Sequence, residues 1–158
     1  MELSKDICGF LEGKGIGCSV ESAGAFEVIT ACLEDGRTRA VLPVRIMAKD
    51  MSEAETQQLE LQKAVSALTG RHGSYPLIIT EDRWHSQPEM TKARLLAHLE
   101  VYDQIYARNC EVRKIDRQTA ADFLTASHSY GDASCRYRYG LFLKRHTGHV
   151  AAGGIETV

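Results

Sequence analysis

The sequence has no Cys-x-x-Cys pair; its five cysteines, Cys8, Cys18, Cys32, Cys110 and Cys135, stand apart along the chain. That spacing excludes the close-set zinc knuckle and the redox dithiol. Isolated thiols read as reduced ones. Met1 to Phe10 carries Glu2, Lys5 and Asp6 where a secretory leader has an unbroken apolar run, so a cytoplasmic location is expected. No stretch approaches the roughly 18 apolar residues of a membrane span, so no membrane partner is expected. There are only three prolines, no internal repeat and no low-complexity tract, which excludes a proline-rich linker and a solenoid. No complete catalytic motif occurs either, so no cofactor is expected.

What remains is an ordinary globular composition over 158 residues, 44% hydrophobic and 25% charged. The net charge of −2 hides an asymmetry: residues 1 to 81 carry 8 basic and 12 acidic side chains, residues 108 to 146 carry 8 basic and 4 acidic. Such a split suggests two units, the second tolerating anions.

Apolar spacing predicts a helix over 3–13, with Ile7, Phe10 and Leu11 on one side and Gly13 as its stop. A short strand over 18–22 follows. Phe26 to Leu33 and Thr38 to Met47 flank Glu34-Asp35-Gly36-Arg37, whose central Asp-Gly predicts a type I′ hairpin. Pro43 lacks a donor N–H and argues for an edge or a bulge. Ser52-Glu53-Ala54-Glu55 reads as a capping box opening a helix to Thr69, with Leu61, Ala64, Val65 and Leu68 inward and Gly70 as its stop. Tyr75 to Thr80 reads as a buried strand. Ser86-Gln87-Pro88-Glu89 reads as a second capping box, its helix reaching Tyr106 with a stripe of Leu95, Leu99, Tyr102 and Tyr106. Beyond Arg108-Asn109 come a strand from Cys110 to Ile115, a helix over 117–127 capped by Asp116, and a final hairpin of Tyr137 to Lys144 with His149 to Ile155.

Several residue groups invite a chemical reading. Gly13-Lys14-Gly15-Ile16-Gly17 has the look of a phosphate cradle but follows a helix instead of opening one, which favours a helix stop. His146 and His149 have ligand-like spacing without a third ligand nearby. His128, Asp132 and Cys135 form a nucleophile, base and acid set confined to one loop. In Arg136-Tyr137-Arg138-Tyr139, strand alternation puts both arginines on one face and the tyrosines, with Leu141 and Leu143, on a core face. Arg136, Arg138, Lys144 and Arg145 are thereby the candidate contacts for nucleic-acid phosphates.

The element order to residue 80 resembles the PD-(D/E)XK nuclease-like core, including its very-short-patch-repair type. That resemblance implies a metal held by an acid on the second core strand and an acid-x-lysine on the third. Glu27 or Asp35 takes the first place, but Pro43 stands where the second acid belongs and Arg45 where the lysine does. These are vestigial positions, and no metal is expected. A second resemblance rests on Glu81-Asp82-x-Trp84, Ile105-Tyr106-Ala107-Arg108, Phe123-Leu124 and Tyr139-Gly140-Leu141-Phe142. These are similar to proteins of phages and mobile elements in which a nuclease-like front precedes a GNAT-type acyltransferase-like domain. It implies that the family's acyl-CoA loop would follow the fourth strand of that domain, beyond Val158.

The expected fold class is therefore α/β in the α+β sense. An αβββαβ nuclease-like core and a helix fill residues 1–107, and a small strand–helix–hairpin unit, the truncated opening of an acyltransferase-like domain, fills 108–158. The expected function is a non-catalytic or accessory nucleic-acid-associated module. An acyltransferase part and a metal-dependent nuclease are the alternatives, and an open sheet edge after residue 155 suggests a homodimer.

Overall fold

A computed structural model describes residues 2–128, 131–132 and 134–144, and these fall into two compact units, the first ending at Tyr102 and the second beginning at Asp103. The fold is mixed α and β, as the sequence predicts.

The first unit opens with helix α1 (Glu2–Glu12), which buries Leu3, Ile7 and Leu11 at helical spacing. Its end is a Schellman closure: Ile16 N–H reaches the Leu11 carbonyl at 3.0 Å and Gly15 N–H the Glu12 carbonyl at 2.9 Å. Gly15 takes the left-handed position there, at φ 76°. The glycine-rich run thus terminates a helix.

Strands β1 (Cys18–Ala23), β2 (Phe26–Cys32), β3 (Thr38–Val44) and β4 (Leu77–Thr80) form one sheet in the order β1-β2-β3-β4. The first three are antiparallel neighbours, whereas β4 runs parallel to β3 after the crossover through α2 (Met51–His72). Strand alternation divides the core in two. Ile29, Ala31, Val41, Leu77 and Ile79 face α1, with Trp84, Leu95 and Leu99 completing that cluster. Phe26, Val28, Ala40, Leu42 and Val44 face Val65 and Leu68 of α2. A sheet covered on both faces explains why β2 and β3 read as nearly continuous apolar runs.

Four local expectations change. The turn joining β2 to β3 is not type I′. Gly36 has φ 82° while Asp35 stays at negative φ, and Leu33 N–H bonds the Arg37 carbonyl at 2.8 Å, giving a three-residue turn closed by a glycine bulge. Pro43 lies in an inner strand, but the last β2–β3 pair is Ile29 with Val41, so Pro43 pairs only with β4. Its missing donor falls where β2 has already diverged.

Helix α2 is capped by Asp50, whose carboxylate accepts from Glu53 N–H at 2.9 Å, and Glu53 in turn accepts from Lys49 N–H at 2.9 Å. The box therefore sits two residues before Ser52, and the helix passes through Gly70 to stop at Gly73. Finally, the expected helix to Tyr106 is two shorter ones, α3 (Glu81–Ser86) and α4 (Pro88–His98), with Gln87 between them making no side-chain cap. Leu95 and Leu99 are buried as expected; Tyr102 and Tyr106 lie beyond the helix and are exposed.

Helix α4 stops at another Schellman closure, Val101 N–H to Leu96 carbonyl at 2.9 Å and Glu100 N–H to Ala97 carbonyl at 3.1 Å. Glu100 occupies the position usually taken by glycine, at φ 61°. An L side chain in that conformation costs about 1–2 kcal/mol.

The second unit contains a 3₁₀ turn (Ala107–Asn109), strand β5 (Cys110–Lys114), helix α5 (Arg117–Ser127) and strand β6 (Tyr139–Leu143). The Asp116 carboxylate caps α5 by accepting from Thr119 N–H at 2.8 Å. Strands β5 and β6 pair antiparallel, from Cys110 with Leu143 to Lys114 with Tyr139. Among the described residues of this unit only Cys110 and Ala120 are buried apolar side chains. No described helix is long and apolar enough to cross a membrane.

Candidate functional site

In the first unit two of the expected nuclease-like positions, Glu27 and Arg45, lie toward the end of the sheet where β2 and β3 part. Glu27 is half-buried on β2, ahead of the last β2–β3 pair, with Ser4 and Lys5 of α1 beside it. Alternation places Glu27, Pro43 and Arg45 on the face that carries Ile29 and Val41. Arg45 is already engaged: its Nε donates to Glu81 Oε2 at 2.8 Å, at the C-terminal ends of the two parallel strands. Asp35 lies at the opposite end of the sheet, in the β2–β3 turn, where it accepts from Arg37 N–H at 2.9 Å and Arg37 Nε at 2.5 Å. Those bonds hold its carboxyl below the usual range. Asp35 therefore does not join Glu27 and Arg45.

Among the described residues no three His, Cys, Asp or Glu side chains stand together as metal ligands. Pro43 supplies no oxygen where a second acid would close such a set. The arrangement at this end of the sheet can hold an ion pair, and it lacks the donor set that activates a metal-bound water.

In the second unit the basic residues are placed unequally. Arg136 is exposed, its guanidinium 5.5 Å from the centre of the Tyr137 ring. Arg138 is turned inward, its side chain 14% exposed, facing Asp132 at 4.0 Å and donating through Nη1 to the Cys135 carbonyl at 2.9 Å. Lys144 donates through Nζ to the Arg108 carbonyl at 2.9 Å. Arg145, His146, His149 and the second strand of the expected hairpin lie outside the described residues. Of the set His128, Asp132 and Cys135, the Asp132 carboxylate faces Arg138 and Cys135 is exposed.

The expected core face of β6 is exposed in part: Leu143 is half-buried opposite Cys110, but the tyrosine end is open. Tyr139 is 63% and Leu141 47% exposed, whereas Gly140 and Phe142 are half-buried. The Phe142 ring lies over Gly140, where a Cβ would approach it to 2.7 Å, so the aromatic fills space that glycine leaves. Register then assembles an open face: Tyr139 opposite Lys114, and Leu141 opposite Val112, itself 70% exposed. Beside it a groove of about 300 Å³ is lined by Phe123 and Leu124 of α5 and by Tyr137, Tyr139 and Leu141.

Spacing along the chain conceals these groupings. Lys114 reads as a strand end until the register is known, and the Arg108 stack on Tyr106, 4.7 Å from the ring centre, falls where the sequence reads a helix end and a break. Cys8 and Cys18, ten residues apart, pack against the same core cluster. Burial and then the neighbouring Cys18 push the Cys8 thiol up to about 12, so it stays protonated.

No protein-family model matches the chain, and no curated protein or solved structure matches it either.

Proposed function

We propose that the chain is a non-catalytic, nucleic-acid-associated module whose second unit contacts unpaired bases. The observation that carries this reading is the open β5–β6 face, where Tyr139 stands exposed opposite Lys114 beside an apolar groove of about 300 Å³. Bases taken out of a helix stack on exposed aromatic rings, while nearby cations meet the phosphates. Arg136, stacked on Tyr137, adds a second guanidinium–aromatic pair to the approach. The first unit supports an accessory role because Pro43 and the Arg45–Glu81 pair take the places that a nuclease needs for an acid and a free lysine.

Fluorescence anisotropy of a labelled single-stranded oligonucleotide tests the reading. Affinity should fall as salt rises, and Tyr139→Ala should weaken binding by about 1–3 kcal/mol. Arg136→Ala should lower the salt slope by roughly one. Absence of binding at low salt, or a Tyr139→Ala affinity equal to wild type, would overturn it.

The strand–helix–strand order from Cys110 to Leu143 favours a second reading, the opening of an acyltransferase-like domain. Binding of an acyl-CoA by the chain would bring that reading forward. A cytoplasmic location and self-association belong with the first reading; the sheet edge after residue 155, on which the expected pairing rests, lies outside the described residues.

A further inference from the structure

Glu100 is the one non-glycine residue at positive φ among the described residues. The backbone closure of α4 sets that conformation, and two guanidinium groups bind the side chain. Arg37 grips both of its carboxylate oxygens, Nη2 to Oε2 at 2.6 Å and Nη1 to Oε1 at 3.2 Å, and Arg39 Nη2 reaches Oε1 at 2.6 Å. Asp35 fixes the other side of Arg37 through Nε at 2.5 Å, which orients its fork. Arg39 and Arg94 also act electrostatically on His98, so three cations gather about one end of α4. The Arg37 side chain is 51% and that of Glu100 40% exposed, so the grip opens to solvent.

A solvent-exposed ion pair is worth little, so an anion of higher charge can take the arginines over from Glu100. Two converging guanidinium forks match a phosphate better than a carboxylate, since a phosphate offers three oxygens and more charge. We infer that Arg37 and Arg39 form a phosphate-binding site closed in the free protein by the chain's own Glu100. A phosphate-bearing ligand enters by displacing the Glu100 carboxylate, and its apparent affinity is reduced by the fraction of molecules in which Glu100 occupies the site. The inference concerns the first unit alone and stands whether or not the second unit binds bases.

Titration calorimetry of the full chain with inorganic pyrophosphate tests it. Glu100→Gln removes the competing charge, and Glu100→Gly removes it while relieving the left-handed backbone, so the second variant keeps a folded comparison in hand. Both should bind pyrophosphate about tenfold more tightly than wild type, a change of about 1.4 kcal/mol. Adding Arg37→Gln and Arg39→Gln to either should abolish the gain. Wild-type affinity in both single variants, or a gain that survives loss of the two arginines, would overturn the assignment.

Discussion

The two units use their side chains differently. In the first, both faces of a four-stranded sheet are covered, and Ile7, Ile29, Val41 and Leu42 are wholly shielded from solvent. In the second, a two-stranded sheet and one helix leave Val112, Tyr137, Tyr139 and Leu141 exposed. Among the described residues of the second unit, two strands with one helix bury too little to hide large side chains.

The contrast is open to breaking. Leu42→Ala should destabilise the first unit by about 2–5 kcal/mol in urea unfolding, because the cavity forms between β3 and α2. Leu141→Ala should stay within about 0.5 kcal/mol. Equal losses from the two would mean that the open face is covered by something else.

Cap substitutions sharpen the comparison at a smaller scale. Asp50→Ala and Asp116→Ala should each cost about 1 kcal/mol, one in either unit, while Ser52→Ala changes little. A large loss from Ser52→Ala would return the cap to the position that the sequence pattern suggests.

The smallest effect depends on pH. His98 is half-buried with Nε2 3.3 Å from the Ala40 carbonyl, and burial lowers its pKa against the pull of that carbonyl. Arg39 and Arg94 lower it further, and Glu100 opposes them. The unfolded chain therefore takes up this proton first, near its ordinary value of 6.5. The His98 contribution to stability is complete above that pH and is lost as pH falls toward the folded value. Melting curves between pH 5 and 7, a range bracketing the free histidine value, should show a slope that His98→Gln flattens.

Much of the frame was legible in the sequence because its signals are local. Apolar alternation identified β2 and β3, Asp-Gly identified their turn, and Asp116 marked the start of α5. What escaped detection depends on contacts between distant residues. Asp50 caps α2 only because Lys49 N–H is free to meet Glu53, and Ser52 matches the same motif equally well. The stripe from Leu95 to Tyr106 has helical period throughout, yet the helix closes at Glu100, whose side chain meets Arg37 and Arg39 some 60 residues earlier. On β6 the period-two pattern holds, but Tyr139 and Leu141 of the expected core face are exposed. Gly140 gives no hint that a neighbouring ring will occupy its place. Of the candidate site residues, Arg136 lies in the open, whereas Arg138 and Lys144 are spent on carbonyl groups that no spacing rule reveals.

Trp84 is the single tryptophan of the chain, and it lies in the first unit, buried against Phe10 at 6.1 Å between ring centres in an edge-to-face arrangement. Its emission therefore reports on one unit only, while the exposed Tyr137 and Tyr139 belong to the other. Selective excitation of the indole follows the opening of the double-covered sheet. Tyrosine emission is shared, since Tyr75 and Tyr102 of the first unit are exposed as well. The indole therefore gives an unlabelled sample one optical channel that reads a single unit.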